Sequence, residues 1–159
     1  MCNNITLRPI ESLTDAEIDV LVSILNNDND LQKWLYQGES TINKLTRDEF
    51  VKIGQEWAIR KNAKVYCIFT NTPIGQISIS HITTDGHAQI GYWITSHEWR
   101  KGYGTKAFEL AIQKARELGI REVSANIEKH NVASLALWQK YYHVQSIIKQ
   151  NRVQVRLEI

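Results

Sequence analysis

Cysteine, proline and methionine are all scarce in this 159-residue chain, with two, two and one respectively. Cys2 and Cys67 form no C-x-x-C pair, which argues against a zinc or dithiol redox motif. Cys67 lies inside the apolar run "VYCIF" and reads as a small buried hydrophobe. No apolar stretch approaches the ~20 residues that a membrane span needs. The start, "MCNNITLRPIE", carries no signal-peptide core. The expectation is a cytoplasmic protein with no membrane partner. Linkers, repeats and low-complexity segments are absent too, so residues 1–159 are expected to form a single domain. An excess of either charge is lacking too: 19 Lys+Arg against 17 Asp+Glu leave a net +2. Without a clustered basic face, nucleic acid is not an expected partner. A chain of this length and 43% hydrophobic content buries a core without disulfides or metal.

What is present is a clear alternation of periods. "ITLRPI" (5–10) reads as a short strand, with Pro9 marking an edge or an end. "TDAE" and "TRDE" are capping-box patterns ahead of two helical stripes. One stripe is Val20, Leu21, Ile24 and Leu25; the other is Phe50, Ile53, Trp57 and Ala58. "NNDNDLQKW" (26–34) between them reads as a polar loop. The middle then switches to period two: "KVYCIFT", "GQISISHI" and "AQIGYWIT" form a meander, with Asp85-Gly86 as a hairpin turn. Phe108, Ala111, Ile112, Ala115 and Leu118 form a helical face that Gly119 ends. "REVSANIE" is a strand parallel to the one before that helix. Asn131 caps a helix running to about Tyr142, and two short strands close the chain. The order βαα-βββ-αβ-αββ describes an α/β domain with a mixed sheet.

The chemistry-bearing stretch is "EWRKGYGTKAFELAIQKARELG". A strand ending near Thr95, a short loop and a helix opening near Gly104 leave several backbone N–H groups free at one spot, with the helix dipole behind them. Gly102 and Gly104 let a ligand approach the backbone, and Arg100 and Lys101 add charge. This suits a phosphate site, although a plain strand-to-helix turn with surface cations fits the glycines equally well. The Walker pattern G-x-x-x-x-G-K-[ST] is absent, and so is the third glycine of the dinucleotide fingerprint.

"IGYWITSHEWRKGYGTKA" resembles instead the pyrophosphate-binding motif of the GNAT superfamily, the acetyl-coenzyme A-dependent N-acetyltransferases. It is similar in particular to the branch containing the ribosomal-protein-alanine acetyltransferases. Gly91-Tyr92-Trp93 matches that branch's strand, and Trp99 to Thr105 match its helix-opening loop. Trp99 stands where the superfamily has Arg or Gln. "HNVASLALWQKYY" is similar to the family's late helix through Asn131, Ser134, Leu137 and Lys140.

The resemblance implies a mostly antiparallel mixed sheet, a central parallel strand pair that splays, and helices on both faces. It implies acetyl-coenzyme A as co-substrate, with no metal. Its pyrophosphate would rest on the amides of Trp99, Arg100, Lys101, Gly102, Tyr103, Gly104 and Thr105. Its pantetheine arm would meet Trp93, Ile94 and Thr95, with Asn126, Asn131, Ser134 and Trp138 nearby. The reaction implied is direct attack of an amine on the thioester, the Ile94 or Thr95 amide serving the oxyanion.

Relatives often carry Glu at the places of Gln89 and Asn126, and Tyr at the place of Trp138. The candidates left are Glu128, His81, His87 or His130 as base, and Tyr141 or Tyr142 as acid. Deprotonation through water is as good a reading. His81 is expected to be semi-buried beside Ile77 and Ile79, and His87 to face solvent. The acceptor would be a peptide N-terminus, a polyamine or another small amine, met by Trp34 and Tyr36. Asp28, Asp30 and Glu39 of the same loop would favour a cation. An acyl-coenzyme A-binding module with little catalysis is the alternative. The resemblance also implies pairing of the C-terminal strands in a homodimer.

Overall fold

A computed structural model describes residues 4–35, 44–141 and 144–159. Its strands are β1 (Thr6–Pro9), β2 (Lys64–Phe69), β3 (Pro73–Ser80), β4 (His87–Ile94), β5 (Glu122–Glu128), β6 (Gln145–Lys149) and β7 (Arg152–Glu158). Its helices are α1 (Asp15–Asn27), α2 (Asn29–Leu35), α3 (Arg47–Arg60), α4 (Tyr103–Glu117) and α5 (Val132–Gln139). The strands form one sheet in the order β1-β2-β3-β4-β5-β7-β6. Every neighbouring pair is antiparallel except β4 with β5.

The meander and the crossover stand as the periodicity predicts. Gly86 turns the β3–β4 connection with φ +88°, and its N–H donates to the Thr83 carbonyl. Gly119 follows α4 with φ +81°. Thr14 and Glu17 cap α1 reciprocally, and Asn131 caps α5 by accepting from the Ser134 amide at 3.2 Å. Alternation splits the apolar residues between the two sheet faces. Ile68, Ile77, Ile79, Ile90, Ile94, Val123, Ala125 and Ile127 pack with Phe108, Ala111 and Trp138 on the α4–α5 face. Cys67 and Leu21 pack with Phe50 and Trp93 on the α1–α3 face.

Three local readings need correction. The stretch 26–34 is not a loop throughout, because Asn29–Leu35 is helical. Asp28 accepts the Leu31 amide at 3.1 Å, and Leu31 is buried, so a cap and one anchored side chain outweigh a polar composition. The two helical stripes are narrower than patterned: Ile53 lies on the exposed side of α3, and Leu118 is the exposed C-cap of α4. His81 and His87 exchange environments. β3 ends at Ser80, so His81 is an exposed residue at φ +53° whose N–H donates to the Lys61 carbonyl. β4 begins at His87, which is half-buried against Ser124 and Glu122.

Candidate active site

The parallel pair is joined only at its start. His87, Ala88 and Gln89 pair with Glu122, Val123 and Ser124, and the ladder stops there. Beyond it β4 stays on β3 up to Ile94, while β5 stays on β7 up to Glu128. The two strands therefore diverge into a wedge. The Thr95 N–H donates to the Ile74 carbonyl on the β3 side at 2.8 Å. Strand alternation then turns the amides of Ile94 and Tyr92 to the opposite edge, into the wedge.

The ends of β3 and β4 come unusually close at Gly75. A methyl group on Gly75 would lie 2.1 Å from the Trp93 carbonyl oxygen and 2.9 Å from the Ile94 Cα. Only a glycine lets the two backbones come this close.

At the wedge's open end α4 begins without a protein cap. Its N-cap is Gly102 at φ +82°, with no side-chain hydrogen bond and no acidic residue in the first turn. Among the described residues, α1, α3 and α5 are each capped by a side chain, from Thr14, Thr46 and Asn131. Lys106 makes the first intrahelical bond, to the Gly102 carbonyl, which leaves the amides of Tyr103, Gly104 and Thr105 ahead of it. The Trp99 amide is taken by the Ser96 carbonyl, so the loop's donors begin later than the motif suggests. Gly102 is needed for its left-handed backbone, whereas a Cβ on Gly104 would meet only ordinary contact with Tyr92 and Leu137.

The cations around this helix start are not equivalent. Lys101 pairs with Glu98 at 2.9 Å, and that carboxylate raises the ammonium above its usual range. Arg100 is exposed at φ +64°. Lys140 donates to the Thr105 hydroxyl at 3.0 Å, bringing a further charge from the end of α5 to the first turn of α4.

Thr95 is fully engaged: buried, its hydroxyl donates to Asp28 while its amide serves β3. The Trp99 indole donates to the Ile94 carbonyl at 2.8 Å. Trp93 lies on the α1–α3 face, its indole donating to Gln76 at 3.0 Å. Asn126 is exposed on that same face of β5, together with Glu128. Ser134 lies in the first turn of α5, near Tyr92. Trp138 is 2% exposed and packs edge-on against Phe108, so it belongs to the core rather than to an open site.

Of the catalytic candidates, Glu128 closes β5 in an ion pair with Arg152 at 3.0 Å. The Tyr141 hydroxyl is buried against Phe108 without a partner among the described residues, and burial raises it. Tyr92 is a phenol that motif reasoning passed over. Its hydroxyl lies 3.6 Å from where a Gly104 Cβ would sit. Burial raises it too, with the Ser134 hydroxyl pulling the other way.

Trp34 stacks on His130, ring centroids 5.2 Å apart, which joins α2 to the segment after β5. Asp28 is not a free acid facing an amine. It is 7% exposed and accepts four hydrogen bonds. Burial alone would raise its pKa, but the donors from Ser96, Leu31 and Thr95 outweigh burial and hold it below 3.8. Tyr36, Glu39 and Tyr142 lie outside the described residues.

A separate surface cleft of about 780 Å³ opens at the paired end of β4 and β5, away from the wedge. There His87 Nε2 faces both Ser124 Oγ at 3.3 Å and Glu122 Oε1 at 3.4 Å. A serine–histidine–acid relay uses both ring nitrogens, so this trio is not one. Among the described residues no cluster of metal-ligating side chains occurs, and no helix is long and apolar enough to cross a membrane.

The sequence matches the family described as "Acetyltransferase (GNAT) domain" over residues 4–141. Solved structures share the fold at low identity. A ribosomal L7/L12 α-N-protein acetyltransferase in complex with coenzyme A is 22% identical, with TM-score 0.76, covering 98% of this chain and 94% of that one. The Campylobacter jejuni N-acetyltransferase PseH in complex with acetyl coenzyme A is 20% identical, with TM-score 0.71 and coverages of 98% and 99%. The Vibrio cholerae spermidine N-acetyltransferase in complex with coenzyme A and spermine is 14% identical, with TM-score 0.73 and coverages of 97% and 95%. Among curated proteins none matches the sequence significantly.

Proposed function

Since the chain belongs to the GNAT acetyltransferase family, we propose that it transfers acetyl from acetyl-coenzyme A to a primary amine by direct attack in a ternary complex. One observation carries the reading: an uncapped helix start sits at the mouth of a wedge between two parallel strands. The amides of Tyr103, Gly104 and Thr105, with Arg100 and Lys140, suit a diphosphate. The inner edge of β4 suits an amide-containing arm, and the Ile94 N–H is the donor for a developing oxyanion. Acetyl-coenzyme A supplies the activated acetyl group; the chain supplies placement and charge stabilisation.

Glu128 is paired with Arg152, and the amine loses its proton to water at the wedge mouth. Tyr92, whose hydroxyl lies beside Gly104 in the first turn of α4, is better placed than Tyr141 to return one to the leaving sulfur. Among the described residues the acids on the acceptor side are engaged: Asp28 by four donors, Asp30 by Lys33 and Glu128 by Arg152. The α1–α3 face around the wedge presents Gln89, Gly91, Trp93, Asn126 and Gln154 instead. A surface of amides and one indole favours a singly charged acceptor, a peptide N-terminus or small monoamine, over a polyamine.

The test is a single-turnover assay of acetyl-coenzyme A with a free N-terminal peptide, a small monoamine and spermine, reading released thiol. Thiol release with a peptide or monoamine is expected. Release with spermine alone overturns the acceptor class. A melting temperature raised by coenzyme A with no thiol released by any amine leaves a binding module instead.

A further inference from the structure

Resting on that acetyltransferase reading, we propose that Asp28 is a positioning residue for the reaction, its buried carboxylate fastening α2 to the end of β4 so that the acceptor side and the cofactor cradle keep one register. Helix α2 is seven residues long, roughly 10 Å. Its two ends are held by the two diverging strands. At its start Asp28 bonds Thr95 and Ser96, which directly follow β4. At its finish Trp34 stacks on His130, two residues beyond β5. The helix thus forms a crossbar between the ends of β4 and β5, at the open side of the wedge.

The carboxylate is matched to its donors oxygen by oxygen. Oδ1 accepts the Leu31 amide at 3.1 Å and the Ser96 hydroxyl at 2.6 Å. Oδ2 accepts the Ser96 amide at 2.7 Å and the Thr95 hydroxyl at 2.8 Å. Each oxygen therefore takes one backbone N–H and one hydroxyl. Hydroxyls can turn to accept instead of donate, but backbone amides cannot. An asparagine placed here, whichever way its amide is turned, sets its NH2 against either the Leu31 or the Ser96 N–H.

Capping α2 would need only one oxygen, from Asp28 to the Leu31 amide. Three of the four bonds go instead to residues 67 and 68 positions away. A buried carboxylate with no cation against it among the described residues is an expensive cap unless those distant groups must be fixed. What they fix is specific. Thr95 is pinned by Ile74 through its amide and by Asp28 through its hydroxyl. The Ile94 N–H lies immediately before it. Ser96, held through both amide and hydroxyl, begins the turn that leads to Gly102 and α4.

The test is calorimetric titration of coenzyme A into the wild-type chain, Asp28→Asn, Thr95→Val and Ser96→Ala. Each is measured at a temperature where circular dichroism shows it fully folded. A coupling between a distant group and a binding site typically changes affinity by about 5- to 150-fold. Asp28→Asn is therefore expected to weaken coenzyme A binding by about 10- to 100-fold while folded. Thr95→Val and Ser96→Ala keep both backbone bonds and should weaken it less. Should Asp28→Asn fail to fold, the two hydroxyl deletions decide. Weaker binding by folded variants supports the role; wild-type affinity in both overturns it. A tether that merely stabilises would lower the melting temperature and leave the affinity alone. Failure of the wild-type chain to bind coenzyme A overturns the acetyltransferase reading. Normal wild-type binding with unchanged affinity in Asp28→Asn overturns only the positioning role.

Discussion

Replacing Gly75 by alanine tests whether the close approach of β3 and β4 is built into the sheet. The new methyl carbon would sit 2.1 Å from the Trp93 carbonyl oxygen. Ordinary carbon–oxygen contacts fall near 3.3–3.6 Å, so the two strands must part by about 1.2 Å. The obstacle is backbone on both sides, so no flexible side chain can absorb the shift. Overpacking of this kind costs about 3 kcal/mol, the upper end of its usual range. For a chain of this size that lowers the melting temperature by roughly 6–12 °C. The displaced groups include Ile94, so coenzyme A binding should weaken together with stability.

Gly91→Ala is the control on the neighbouring strand. Its Cβ would meet nothing nearer than Ser78 Oγ at 3.8 Å, which is ordinary contact, and stability should change by no more than about 0.5 kcal/mol. Calorimetric melting with and without coenzyme A reads both variants. Gly75→Ala melting within about 2 °C of wild type, a shift worth under about 1 kcal/mol, would refute the close-approach argument.

The remaining predictions concern other parts of the chain. Gly54 lies on the exposed side of α3 with nothing within 4 Å of its would-be Cβ, so Gly54→Ala should stabilise by about 0.8–1 kcal/mol in denaturant titration. Cys67 is fully buried, and burial pushes its thiol up to about 12, so in the folded chain it should resist a thiol reagent until unfolding exposes it. Asp28 is held below 3.8 in the folded state, so its contribution is present above that value and lost as pH falls through the lowered one. Asp28→Asn should therefore lose less stability than wild type between about pH 5 and pH 1, as urea midpoints across that range would show.

Much of the fold is legible because period and punctuation agree. β3 and β4 alternate cleanly around Asp85-Gly86, and the α4 face from Phe108 to Ala115 is buried as patterned. The failures are of two kinds. Boundaries moved by one or two residues, enough to send His81 into solvent and His87 against Ser124. Groups whose partners are remote in sequence were misassigned. Asp28 in "NNDND" looks like any solvated acid, and only the fold brings Thr95 and Ser96 to it. The α2 helix shares this cause, since little but Leu31 marks it as anchored. Trp138 and Tyr141 follow one another at helical spacing, yet which aromatic side chain meets the start of α4 depends on packing between β4 and α5. There the structure puts Tyr92 rather than either of them.

Trp99 shows how such remote pairing bears on the proposed chemistry. At the end of β4, Ile94 turns both an N–H and a carbonyl toward the wedge edge, since the two groups of one strand residue point the same way. An acceptor oxygen beside a developing oxyanion would oppose it. The Trp99 indole donates to that carbonyl at 2.8 Å, so the Ile94 N–H is left as the group on offer. Arg or Gln, which stand at this place in the wider superfamily pattern, could also donate to a carbonyl. Tryptophan is donor-only, carries no charge and stays 38% exposed at the cradle's rim. It therefore covers the carbonyl without adding a cation to a loop that already has Arg100 and Lys101. The close approach at Gly75, the tether at Asp28 and the indole of Trp99 all converge on two consecutive peptide groups, Ile94 and Thr95. On the proposed reading their joint effect is to present one backbone donor, rigidly aimed, at the place where negative charge appears.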